Sequence, residues 1–161
     1  MASTAFISIT GEKQGNISQG CNTQNSMGNK FQDNHEDEIT VLSYSHSVGY
    51  NNRGIHHPIQ IVKRVDKSSP LLAQACINGE KLECELSFFR PNPKGGIELF
   101  YTVTLTGALI VNTSVNMPHT IDLNSSEMQE VVTIKYNEIT WKHVTANTNG
   151  FDTWVDVISS L

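Results

Sequence analysis

The chain has 161 residues, a length that fits one domain (1–161) able to bury a core without disulfides or metal. Hydrophobic residues make up 38% and charged residues only 17%, so Ser, Thr and Asn fill the remainder, a balance suited to turns and polar strand faces. A net charge of -5 argues against a phosphate-backbone partner, and no apolar run reaches the about 18 residues that a membrane-spanning helix needs.

Residues 5–9 (AFISI) form a short strand closed by Thr10-Gly11. Residues 11–34 are rich in Gly, Asn, Ser and Gln and are expected to form a long loop with at most one short strand. Residues 39–46 alternate, with Leu42 and Tyr44 on one face and Val41 and Ser43 on the other. A second extended loop is expected over 47–58 (SVGYNNRGIHHP). In the strand at 59–65, Ile59, Ile61 and Val65 face one way, with Gln60 and Arg64 opposite.

One short helix is predicted next. Ser68 or Ser69 offers an N-cap hydroxyl, Pro70 suits the first helical turn, and Asn78-Gly79 supplies a left-handed end. Leu71, Leu72, Ala75 and Cys76 share one face. A helix this short is not stable alone, so it has to pack on a sheet. Residues 81–89 then alternate cleanly, with Leu82, Cys84, Leu86 and Phe88 against Glu83, Glu85 and Ser87. Residues 91–96 (PNPKGG) form a hairpin loop, and 97–106 return with Ile97, Leu99, Tyr101, Val103 and Leu105 on one face. Gly107 interrupts this run before 108–115 continue it. Val132, Ile134 and Tyr136 share a face, whereas Ile139 and Trp141 have the opposite parity, so a bulge near Asn137-Glu138 is required. Residues 147–150 read as a turn and 151–158 as a last strand.

Motifs for chemistry are missing. The pair His56-His57 and the cluster His35-Glu36-Asp37-Glu38 lack metal-site spacing, and adjacent strand histidines point to opposite faces. There is no G-x-S-x-G elbow, no G-x-G-x-x-G and no P-loop. The cysteines number three; Cys76 and Cys84 lie on apolar faces, and Cys21, in a polar loop, is the thiol expected to be exposed. The expectation is therefore no catalytic residue, no cofactor and no metal. The first ten residues have no basic n-region and no apolar h-region, so folding in the cytoplasm is expected, and export, if it happens, has to use a machine that reads no N-terminal signal.

Taken together, six segments resemble one family: ISITGEKQGNISQG (7–20), HEDEITVLSYSH (35–46), HHPIQIVKRVDKSSPLLAQACINGEKL (56–82), MPH (117–119), YNEITWKH (136–143) and NTNGFDTW (147–154). In this order and spacing they are similar to the Hcp (haemolysin-coregulated protein) family of the type VI secretion system. The resemblance implies a mainly β fold, a small β-barrel of two packed sheets with one short α-helix, like phage tail-tube proteins. It implies a structural subunit whose homohexamers stack into a tube inside a contractile sheath on a baseplate. A trimeric spike caps that tube, effector proteins travel in the lumen, and the subunits are secreted. The segment at 47–58 takes the place of the family's extended loop, which reaches a neighbouring subunit or the next ring. Tyr50, Asn51, Asn52, Arg53, Gly54, His56 and His57 become candidate interface residues on that ground. The loop is short beside many relatives, and its residues match no family pattern. Three alternatives stay open: a phage tail-tube subunit, a carbohydrate-binding β-sandwich and a small hydrolase.

Overall fold

A computed structural model describes residues 3–123 and 125–154. The strands are β1 (Thr4–Gly11), β2 (Gly15–Asn16), β3 (Ile39–Ser45), β4 (Val48–Tyr50), β5 (Gly54–His56), β6 (Ile59–Arg64), β7 (Leu82–Pro91), β8 (Ile97–Asn116), β9 (Gln129–Lys135), β10 (Glu138–His143) and β11 (Thr148–Thr153). Two helices, α1 (Gln24–Met27) and α2 (Ser69–Asn78), complete the framework.

The main sheet closes on itself. Its order runs β11-β10-β8-β7-β1-β3-β6-β9, and β9 also pairs with β8, so β8, β7, β1, β3, β6 and β9 form a ring. All the pairings are antiparallel. A small ribbon of β4 and β5 stands apart.

Closure depends on β8, the 20-residue strand. Its first half pairs with β7 on one edge and β10 on the other. Its second half pairs with β9, from Leu109 opposite Lys135 to Asn116 opposite Gln129. At the join, Gly107 adopts φ +61°, a left-handed conformation that strains any residue with a Cβ. The partner strand breaks at the same level, where the Asn137 N–H donates to the Thr106 carbonyl at 3.1 Å. Tyr136 and Ile139 are both buried although their parity differs, so the break restores the register as the pattern required.

Inward positions fill the barrel: Ile7, Ile9, Ile39, Ile59, Ile61, Leu82, Leu86, Val103, Leu105, Val132 and Ile134 are buried. Each such side chain contributes about 1.5–3 kcal/mol relative to exposure. Leu72 and Ala75 of α2 join this core. The helix ends where expected, with Gly79 at φ +60° and its N–H bonded to the Cys76 carbonyl. Its start differs from the simple hydroxyl cap. Ser68 is the N-cap but makes no side-chain cap bond. Instead the Asp66 carboxylate accepts from the Ser68 N–H at 2.9 Å, and Ser69 Oγ accepts from the Asp66 N–H at 2.9 Å.

Several local features differ from the sequence pattern or add to it. In β3, a register shift between Val41 and Ser43 buries Val41 and exposes Leu42. In β6, Lys63 takes an inward position and is fully buried, held by Glu130 and by Asp66 at 3.0 Å. Cys21 is buried, not exposed, because 17–22 fold back onto β1: the Ile17 N–H bonds the Ile9 carbonyl at 2.9 Å, and Ser18 Oγ accepts from the Ile9 N–H at 3.2 Å. Burial, then the charge of Asp66, pushes its thiol up to about 11. The same long loop contains α1 and a 3-10 turn, so α2 is the longer of two helices among the described residues. The last strand begins at Thr148 and runs to Thr153, so 148–150 are strand, not turn; positions 155–158 of the expected strand lie outside the described residues.

Candidate functional site

The loop expected at 47–58 is a β-ribbon arm. Val48 pairs with His56, Gly49 with Ile55 and Tyr50 with Gly54. The tip closes through the Asn51 N–H, which donates to the Arg53 carbonyl at 3.0 Å. Asn52 takes φ +62°, a conformation that Asn tolerates better than most side chains. Tyr50, Asn51, Asn52, Arg53 and Gly54 are all exposed, with Tyr50 at 79% and Val48 at 53%. A two-stranded ribbon with exposed apolar side chains is at best marginal by itself. Its direction has to be set at the root.

His56 and His57 separate there, as strand alternation requires. His57 is exposed. His56 turns inward, with its side chain 7% exposed. Its Nδ1 lies 2.7 Å from Tyr136 Oη, and its Nε2 lies 2.7 Å from Asp152 Oδ2. His46, at the other foot of the arm, places Nε2 3.0 Å from the same Tyr136 Oη. The Trp154 ring stacks against His56 at 5.8 Å, and Lys135 Nζ sits 4.9 Å above Trp154. Trp141 stacks on His46 at 6.3 Å. The root thus ties β5 to the β9–β10 break and to β11.

Electrostatics at the root follow from burial and hydrogen bonding. Burial lowers the His46 pKa, partly opposed by a hydrogen bond to the His57 backbone. The His56 hydrogen bond holds the Asp152 carboxyl below its ordinary value. Burial, then the Asp152 charge, pushes the Tyr136 phenol up to about 12. A neutral phenol between two imidazoles is a good joint and a poor acid at neutral pH. Among the described residues no group of three or more His, Cys, Asp or Glu is placed to hold a metal ion. His35, whose acidic cluster lacks metal-site spacing, stacks on Phe6 at 3.8 Å and bonds Glu38 at 3.0 Å, which fastens the long loop over β1.

Sequence reasoning found the arm and missed its root. His46, Tyr136, Asp152 and Trp154 are scattered along the chain, and only the fold brings them together. The usable signal was Tyr136, whose hydroxyl sits on an otherwise aliphatic face and needs a partner when buried.

A second surface is the outer face of the sheet. One row runs across five strands, Ser8, Glu85, Thr104, Thr140 and Phe151, each opposite the next. Four of the five are polar and all are exposed or half-exposed, so this outer face is mainly polar.

Comparison with known proteins gives one answer. A family model described as "Type VI secretion system effector, Hcp" matches residues 6–143. The chain is 36% identical to a "Major exported protein" of Pseudomonas aeruginosa, covering 96% of each chain. Among solved structures, a secreted protein Hcp3 from Pseudomonas aeruginosa has TM-score 0.87 at 37% identity, covering 96% of this chain and 100% of that one. A crystal structure of an Hcp protein has TM-score 0.89 at 34% identity, covering 96% of this chain and 99% of that one. An Escherichia coli protein, YhhZ, is 37% identical over 92% of this chain, which spans 37% of that protein's length.

Proposed function

Because this chain belongs to the type VI secretion Hcp family, we propose that it is a non-enzymatic structural subunit of the secretion tube, exported as its relatives are. Copies close head to tail into hexameric rings, rings stack within the sheath and above the baseplate, and the spike caps the stack. Effector proteins occupy the lumen. The observation that supports this reading best is the arm. Its tip, residues 51–54, is exposed, its strands expose the apolar side chains of Val48 and Tyr50, and its root is fixed by three short contacts, two to buried Tyr136 and one to exposed Asp152. A rooted projection with exposed apolar side chains does nothing for the barrel's own core and is suited to reaching a neighbour.

The polar outer face supports a wet lumen wall. Serine, threonine and glutamate side chains let cargo slide or dwell without apolar adhesion. The family match favours the secretion tube over a phage tail tube of the same architecture.

Light scattering coupled to size exclusion tests the reading. The expected mass is six times 17.8 kDa, with annular particles by electron microscopy. Each subunit contact in such a ring buries about 1,200–2,000 Å². A monomer that persists at high concentration would count decisively against the tube role.

A further inference from the structure

Tyr136 has one hydroxyl hydrogen, and two imidazole nitrogens are aimed at it. Its Oη lies 2.7 Å from His56 Nδ1 and 3.0 Å from His46 Nε2. Each contact needs a hydrogen between its two atoms, and the supply is short. His56 Nε2 faces the Asp152 carboxylate at 2.7 Å. A carboxylate only accepts, so the hydrogen of that contact is on Nε2. In a neutral ring, Nδ1 then turns a lone pair toward Tyr136. His46 bonds the His57 backbone in the sense that favours its protonated form, so His46 is the donor there. In a neutral ring, its Nε2 then also turns a lone pair toward Tyr136. The phenol hydrogen satisfies one of these nitrogens and not both. The other contact sets lone pair against lone pair, around a tyrosine that is 2% exposed. With neutral rings, these four contacts share three hydrogens.

A cation fills such a deficit. Two imidazole nitrogens and a phenol oxygen are a donor set for a late first-row divalent ion. Among the described residues His, Cys, Asp and Glu alone make no metal site; here the phenol supplies the third ligand. Spacing rules pass over it because the three residues lie at 46, 56 and 136. Tetrahedral bonds of about 2.0–2.1 Å set neighbouring ligand atoms about 3.3 Å apart, so the two observed pairs need to open by only about 0.3–0.6 Å. The outer contacts already hold both rings as metal-bound histidines are held, one on a carboxylate and one on backbone. Trp154 stacks on His56 at 5.8 Å and Trp141 on His46 at 6.3 Å, which limits rotation of either ring. The other titratable neighbours are His57, Tyr44 and Lys135, whose Nζ sits 4.9 Å above Trp154.

We propose that His46 Nε2, His56 Nδ1 and Tyr136 Oη bind one divalent ion of the Zn2+ type at the arm root, with Asp152 behind His56 and water at the fourth position. The phenol hydrogen leaves as a proton when the oxygen bonds the ion. The ion joins the chain just past β3, the end of β5 and the chain just past β9, and so fixes the direction of the arm. This site is complete within one chain and stands apart from the ring reading above.

Isothermal titration of the metal-free full chain with Zn2+ tests it. One ion per chain should bind, in the micromolar range or tighter. His46→Gln and His56→Gln should each weaken binding at least tenfold, and Asp152→Asn about tenfold through the orientation of His56. His57→Gln, on the adjacent exposed ring, should leave the affinity unchanged. X-ray absorption of the Zn2+-loaded parent needs no variant to fold, and it should show two imidazoles with oxygen and no sulfur. Sulfur from Cys21, Cys76 or Cys84, or one imidazole alone, would overturn the assignment. Unchanged affinity in His46→Gln and His56→Gln would do the same. A parent that takes up no ion would also overturn it, leaving the deficit to an extra proton on one ring.

Discussion

At the scale of single residues, the most consequential group is Lys63. Its ammonium sits inside the barrel end with Glu130 and Asp66, and Ser69 Oγ also donates to Glu130 at 2.9 Å. Removing the cation leaves two buried carboxylates with part of their bonding, a loss of about 3–5 kcal/mol. Lys63→Met should therefore lower the urea midpoint severely, whereas Lys63→Met with Glu130→Leu should recover much of it, since an apolar pair avoids the desolvation penalty. Equal midpoints for the single and double variants would refute that account. The arm root adds a pH dependence. His46 has its pKa lowered from 6.5, so the unfolded chain takes a proton there before the folded one. Its contribution is complete above about pH 6.5 and declines as pH falls toward the folded value. Asp152, lowered from 3.8, adds a second and more acidic step: its contribution holds above the unfolded value and is lost as pH falls through the folded one. Emission from Trp141 and Trp154 should follow both steps, and His46→Gln should erase the upper one only. A single transition in the parent would contradict the assignment.

At the scale of elements, β8 decides the architecture, and Gly107 decides β8. A Cβ at 107 would lie 2.6 Å from Asn137 Nδ2, on a backbone already at φ +61°. Gly107→Ala should cost about 1–3 kcal/mol from the left-handed conformation and the contact together. Asn137→Gly in the same chain should relieve the contact and leave the backbone cost, so thermal unfolding should show partial recovery; full recovery would place the whole effect on Asn137. Much of this geometry was legible in advance. The parity switch between Tyr136 and Ile139 demanded a break, and the glycine at 107 marked where the long strand turns. Alternation in 81–89 and the Pro70-to-Gly79 helix signals were legible for the same reason: each is a local rule with a fixed period or a fixed φ. Residues 11–34 were not legible. Their polar composition reads as loop, yet Ile17, Ser18, Cys21 and Asn22 are buried. Asn22 shows why, since its side chain bonds Thr40 Oγ1 at 2.9 Å and accepts from the Gln32 N–H at 2.7 Å. A polar residue buried through long-range hydrogen bonds leaves no periodic trace.

For the molecule as a whole, the same limit separates the arm's existence from its anchorage. Residues 47–58 announce an extended segment through Gly49, Asn51, Asn52 and Gly54, but its direction depends on Tyr136 and Asp152, about 80–96 positions away in the chain. Fold and arm are therefore separable. The barrel closes without β4 and β5, which among the described residues pair only with each other. Removing the tip, residues 51–54, and rejoining the strands through a short turn should leave the fold's stability within about 0.5 kcal/mol, because exposed loop tips contribute little to it. Assembly should respond differently. If the tip reaches the next ring, the variant still forms rings but no longer stacks them, and tubes disappear from micrographs while the ring mass is retained. If the tip instead reaches within the ring, the ring mass falls as well. Undiminished tubes from the shortened chain would show that the arm contributes nothing to assembly, and the separation of a closed core from a working projection would have to be abandoned.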